Sequence, residues 1–125
     1  MKISAAESKV MELLWTRSPR GSEDLIAELA PAEGWSEATI RTLIGRLVKK
    51  CAVGADPDGR RYSYRPLVVR ADYVGAESER LIDRLFAGEL TPLVANFTRN
   101  RPLTANDLAA LKALIAELED GDDDA

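Results

Sequence analysis

The stretch SEATIRTLIGRLVKK, from Ser36 to Lys50, gathers the side chains best suited to recognising an anionic polymer. On a helix at 100° per residue, Ile40, Leu43, Ile44, Leu47, Val48 and Cys51 share one arc of roughly 140°. Ala38, Thr42, Gly45, Arg46 and Lys49 take the opposite arc, with Thr39 and Arg41 at its edges and no acid among them. Arginine can fork onto guanine O6 and N7, a threonine methyl can touch the thymine methyl, and small residues let a backbone come close. Thr39, Arg41, Thr42 and Arg46 are therefore the expected base readers. Ser36, Lys49 and Lys50, with Arg60, Arg61 and Arg65 further on, are the expected phosphate contacts, which set register without reading sequence. Gly45 in mid-helix costs about 1 kcal/mol relative to alanine, a cost that close approach to a partner explains. Bland alternatives stand beside this reading: Lys49 and Lys50 also complement a helix C-terminal dipole, and Arg65 can instead pair with acids of the helical segment from about Ala71 to Gly88.

The chain carries a formal charge of −4, but unevenly. Residues 1–35 hold 4 basic and 6 acidic groups (−2), residues 36–70 hold 8 and 3 (+5), and residues 71–125 hold 5 and 12 (−7). Phosphate responds to the field at the contact face rather than to the whole-molecule charge, so the positive central block points to nucleic acid. With 46% apolar and 30% charged residues among 125, the chain has the composition of a folded soluble protein. A single cysteine cannot close an internal disulfide, and a sequence with no histidine offers neither the usual zinc spacings nor a nucleophile-and-base pair. No metal, cofactor or enzymatic activity is expected. Without a bilayer-length apolar run or a signal-like N-terminus, the expected location is the cytoplasm, with no membrane insertion.

Several helices must position that face. Ser4 and Glu7 have capping-box spacing ahead of Val10, Met11, Leu14 and Trp15, which predicts a first helix from about Ser4 to Arg17. Ser22 as cap, with Glu23 and Asp24 behind it, predicts a second helix to about Ala30, broken by Pro31 and Gly34. Ser36 caps the third, which ends near Lys50. Asp56, Pro57, Asp58 and Gly59 suit a tight reversal with Pro57 in its second position, joining two short strands. Tyr62 and Tyr64 read as core of this hairpin, Trp15 and Trp35 as core, and Cys51 as a small hydrophobe on the apolar arc. Three helices followed by a hairpin is the order of a winged helix-turn-helix. From Ala71 helical spacing resumes to about Gly88; Thr91 before Pro92 starts a fifth helix, and Thr104 with Asp107 starts a sixth with a leucine stripe.

The expected fold is thus mainly α with a small β-hairpin wing. Residues 1–70 form a winged helix-turn-helix DNA-binding domain, 71–120 a helical dimerisation domain, and 121–125 an acidic disordered tail. A segment of about 50 residues is too small to bury its apolar stripes alone, so Leu81, Leu85, Leu93, Val94, Phe97, Leu108, Leu111, Leu114, Ile115 and Leu118 are expected to pair with a second copy.

Through ISAAESKVMELLW, and above all through Trp35, Ser36, Thr39, Ile40, Arg41, Thr42, Leu43, Arg46, Leu47, Lys49 and Lys50, the chain resembles the penicillinase-repressor family. This is the BlaI/MecI group, whose relatives include the CopY copper repressors. YSYRPLV and LVANF extend the likeness over nearly the whole chain, weakening after Thr98. The resemblance implies a homodimer on a palindromic DNA operator with TACA/TGTA-like half-sites, silencing a resistance or stress operon. It also implies derepression by proteolysis, triggered by a membrane sensor protease, at a bond matched here by Asn96 and Phe97. An equal reading makes Phe97 ordinary dimer core. Cys51 departs from the pattern where the family often carries glycine, and the lack of paired cysteines near the C-terminus argues against the copper-responsive branch. Two other readings remain open, a MarR-like ligand-responsive regulator and a winged helix that binds protein rather than DNA.

Overall fold

A computed structural model describes residues 2–123, which fall into two compact units divided between Gly75 and Ala76. In the first unit, α1 (Ala5–Thr16) opens on a complete capping box. The Ser4 hydroxyl accepts from the Glu7 N–H at 3.0 Å, and Glu7 Oε1 accepts from the Ser4 N–H at 2.9 Å. β1 (Arg20–Gly21) follows, then α2 (Ser22–Glu33), α3 (Glu37–Lys49), β2 (Val53–Asp58) and β3 (Arg61–Pro66). The strands form one antiparallel sheet in the order β1-β3-β2, with Gly21 opposite Ser63 and Ala55 opposite Tyr64.

Several sequence expectations shift. Ser22 is the first residue of α2, whose cap is Gly21, and the helix runs past Pro31 to Glu33. Proline removes only its own N–H from the ladder, so the helix continues until Gly34 turns left-handed at φ 70° and returns its N–H to the Ala30 carbonyl. The hairpin reverses at Gly59 and Arg60, two residues later than Pro57 implied. Gly59 has φ 66°, and positive φ at the first central position is what a two-residue loop of matching twist requires. Pro57 instead lies in β2 opposite Tyr62, on an edge strand where its missing N–H is tolerated.

Cys51 is the clearest correction: it is exposed rather than part of the apolar arc's core. It ends α3 in a Schellman motif, with its N–H on the Val48 carbonyl at 3.0 Å and the Ala52 N–H on the Leu47 carbonyl at 2.9 Å. This geometry forces φ 64° on Cys51, a conformation that glycine adopts more readily. Ala52 tucks into the core instead, beside Leu47 and Val53. The rest of that core joins Val10, Met11 and Leu14 of α1, Leu25 and Leu29 of α2, and Ile40, Leu43 and Ile44 of α3. Trp15 and Trp35 pack on it half-buried; Trp15 donates to the Val68 carbonyl at 2.8 Å and lies 5.4 Å from the Tyr73 ring.

Two charged groups are buried within this unit. Arg20 bonds Asp24 at 2.7 Å and lies 2.9 Å from Glu28, though the second N–H is not aligned on its carboxylate. The hydrogen bond from Arg20 holds the Asp24 carboxyl below its usual range. Glu7 receives the Lys50 ammonium at 2.6 Å. Burial pushes the Glu7 carboxyl up, but hydrogen bonds from Lys50 and from the Ser4 N–H and hydroxyl together outweigh it, leaving it below the ordinary 4.5.

A depressed native carboxyl stabilises the fold above the unfolded group's pKa, and that contribution is lost as pH falls through the native value. Glu7→Gln retains a capping-box residue but loses the ion pair, and should cost about 1 to 3 kcal/mol at pH 7. In denaturant titrations the difference from wild type should shrink below pH 4.5 and vanish once the native carboxyl is protonated.

α4 (Arg70–Phe86) leads into the second unit, followed by α5 (Leu90–Asn100) and α6 (Ala105–Asp123). α5 starts at Leu90 with Glu89 as its cap, two residues earlier than Thr91 before Pro92 implied, so Pro92 is the third helical residue, where its N–H would be unpaired anyway. α6 opens on a reciprocal cap, the Asp107 N–H on Thr104 Oγ1 at 3.0 Å and the Thr104 N–H on Asp107 Oδ2 at 3.2 Å. It extends through residues 121–123 of the segment expected to be a disordered tail; residues 124 and 125 lie outside the described residues. Neither α4 nor α5 has a buried residue. Leu81, Leu93 and Leu111 are half-buried, whereas Leu85, Val94, Phe97, Leu108, Leu114, Ile115 and Leu118 are exposed.

Candidate nucleic-acid interface

α3 presents a sharply divided surface because its apolar residues recur with helical period. Ile40, Leu43, Ile44 and Leu47 face the core, while Ala38, Thr39, Arg41, Thr42, Gly45, Arg46 and Lys49 are exposed. The Ser36 hydroxyl accepts from the Thr39 N–H at 3.1 Å and lies 3.0 Å from the Thr39 hydroxyl. The cap that starts the helix therefore also fixes two polar side chains at its tip. The Thr42 hydroxyl donates to the Ala38 carbonyl at 2.9 Å, which leaves its methyl group for outside contacts.

Beside this face runs a groove of about 440 Å³, with Ile44, Gly45 and Val48 of α3 on one side and Ala55, Tyr62 and Tyr64 of the hairpin on the other. Arg41 and Ser22 line it as well. Tyr64 is half-buried against the core, but Tyr62 is 55% exposed, a correction to the expectation that both fill the hairpin's interior. Sequence reading missed Ser22, Ala55 and Tyr62 as part of this surface. For Tyr62 the signal was the alternation along the hairpin, which puts it on one face with Tyr64.

The structure divides the expected phosphate and base contacts into two groups. Arg46, Lys49 and Arg60 are exposed, with no hydrogen bond or ion pair among the described residues. The others are engaged. Arg41 bonds Glu37 Oε1 through Nε at 3.1 Å and Nη2 at 2.9 Å, and reaches Ser22 Oγ through Nη1 at 3.1 Å. Arg61 meets Glu23 at 2.6 Å and Arg65 meets Asp56 at 2.8 Å, so the acids beyond residue 70 do not take Arg65. Lys50, expected on phosphate, also donates to the Lys2 carbonyl at 3.0 Å besides pairing with Glu7, which ties it to the α1 end of the unit. Among the described residues no group of His, Cys, Asp or Glu could hold a metal, and no helix is long and apolar enough to cross a membrane.

The pattern of the family described as penicillinase repressor matches residues 3–117. The chain belongs to the penicillinase repressor family. It is 33% identical to the penicillinase repressor of Bacillus licheniformis over 116 residues, covering 93% of this chain and 91% of that one. It is 31% identical to the methicillin resistance regulatory protein MecI of Staphylococcus aureus strain N315, covering 91% and 93%. The solution structure of the Bacillus licheniformis BlaI monomeric form in complex with the blaP half-operator aligns with TM-score 0.53 and 37% identity, over 58% of this chain and 89% of that one. This member of the family is a DNA-binding transcriptional repressor and not an enzyme.

Proposed function

We propose that the repressor acts in the cytoplasm as a homodimer on a palindromic operator, reading bases through Thr39, Thr42 and Arg46 and gripping phosphate through Lys49 and Arg60. The observation that carries this reading is the combination of uncommitted cations, Arg46 and Lys49 on the exposed face of α3 and Arg60 at the hairpin turn, with a second unit whose apolar side chains one chain leaves in water. The first reads one half-site; the second supplies the seam that joins two copies. Two recognition helices then enter major grooves about one turn, ~34 Å, apart. Arg41, whose three guanidinium nitrogens are already engaged, would reach a base only by leaving Glu37 and Ser22.

We assign release to cleavage at Asn96–Phe97 by a membrane sensor protease, as the family resemblance implies, and the named relatives support a resistance operon as the target. The bond lies inside α5, where the Asn96 carbonyl accepts from Asn100 Nδ2 at 3.3 Å and the Phe97 carbonyl from the Arg101 N–H at 2.8 Å. A protease must therefore open the last turn of α5, a helix with no fully buried residue.

Selection of bound duplexes from a random pool tests the reading directly, and the recovered motif should be two-fold symmetric. On that duplex Arg46→Ala and Thr42→Ala should relax base choice at single positions, the arginine by about 1 to 3 kcal/mol. Lys49→Ala should weaken all duplexes alike and flatten the salt slope by about one unit. Equal losses for all three variants on matched and scrambled duplexes would refute the division of roles.

A further inference from the structure

Of the eight basic residues between 36 and 70, five are ion-paired within the chain: Arg41, Lys50, Arg61, Arg65 and Arg70. Three of those arginines are among the expected base and phosphate contacts, and Glu37 holds Arg41, Glu23 holds Arg61 and Asp56 holds Arg65. In each, both side chains are about half exposed or more. Each carboxylate therefore stands where a phosphate oxygen would have to come, and duplex binding becomes an exchange of one anion for another. We propose that Glu23, Glu37 and Asp56 are affinity-setting residues that compete with phosphate for these arginines and so hold down the repressor's attraction for DNA of any sequence.

The proposal rests on the reading of α3 and the hairpin as the DNA face. A cation paired with a carboxylate contributes little net charge to the field at the duplex, and an exposed pair is weak enough to be broken by a phosphate. The exchange accounts for a repressor whose central block carries +5 while, of that block's eight cations, only Arg46, Lys49 and Arg60 are uncommitted among the described residues. It also gives Glu23 a use that helix capping does not. A first-turn acid stabilises α2 wherever its side chain points, yet this one reaches across to the hairpin.

The test uses the full chain with Glu23→Gln, Glu37→Gln and Asp56→Asn, singly and together. The probes are two duplexes of roughly 30 base pairs, one selected from a random pool and one of scrambled sequence, long enough for two half-sites. Affinity is measured across a salt series. Each substitution should tighten binding to both duplexes by about two- to fivefold near 0.1 M salt, and the triple variant should steepen the slope of log affinity on log salt by one to three units. Glu77→Gln, which frees Arg80 within the second unit, should change neither quantity. Unchanged or weaker binding in the three variants, with Lys49→Ala still reducing affinity, overturns the exchange and leaves the interface standing. Insensitivity to Lys49→Ala and Arg61→Gln as well would remove the interface itself.

Discussion

Gly45→Leu is expected to unfold at a higher temperature than the parent protein and to bind its operator at least tenfold more weakly, a loss of about 1.4 kcal/mol or more. The two effects have separate causes. Gly45 lies in the middle of α3, and a Cβ built there meets nothing within 4 Å. Leucine therefore gains helix propensity of about 0.5 to 1 kcal/mol without a clash, enough to raise Tm by a few degrees in a domain this small. The empty volume it enters is the groove shared with Tyr62, which the proposed reading brings close to the duplex. Gly75→Ala supplies the control: it is also helical and also unobstructed, yet lies in α4, so it should stabilise without touching DNA affinity. Thermal unfolding and gel shifts on the same preparations check both halves. Parental affinity in the leucine variant would mean that α3 keeps its backbone away from DNA.

The second large effect concerns assembly. Leu114 and Leu118 are 51% and 62% exposed on α6, so replacing both with aspartate costs the single chain little. In a two-fold seam the same change buries four charges where apolar contact was, and a buried unpaired charge costs several kcal/mol. The double variant should sediment as a monomer. Each arm then binds its half-site alone, losing the linkage that multiplies affinity by about 10² to 10⁴. A dimer that persists at micromolar concentration would exclude α6 from the seam.

Local chemistry made much of this molecule readable in advance. Ser4 with Glu7, Ser36 before α3 and Thr104 with Asp107 announce helix starts because a short side chain satisfies N–H groups within three residues of itself. The period of Ile40, Leu43, Ile44 and Leu47 assigned the exposed side of α3 in the same way. What escaped depends on partners distant in sequence. β1 is two residues long and is a strand solely through its pairing with β3, more than 40 positions on. The positive φ of Cys51 follows from Ala52 turning into the core, which no local pattern at a cysteine reveals. Above all, charge counting by blocks treated Lys50 and Arg61 as available cations. Their partners Glu7 and Glu23 lie 43 and 38 positions away, and only the folded chain brings them together.

The short ladder between β1 and β3 carries a lesson for anyone building chimeric regulators. Since Gly21 pairs with Ser63 and immediately precedes α2, the hairpin is stitched to the very start of the helix that supports α3. Transplanting residues 53–66 into another scaffold without Arg20 and Gly21 would leave the graft's inner edge unzipped and its aim toward the duplex unset. A portable wing therefore has to carry Arg20 and Gly21 with it, although they lie well upstream of the hairpin itself.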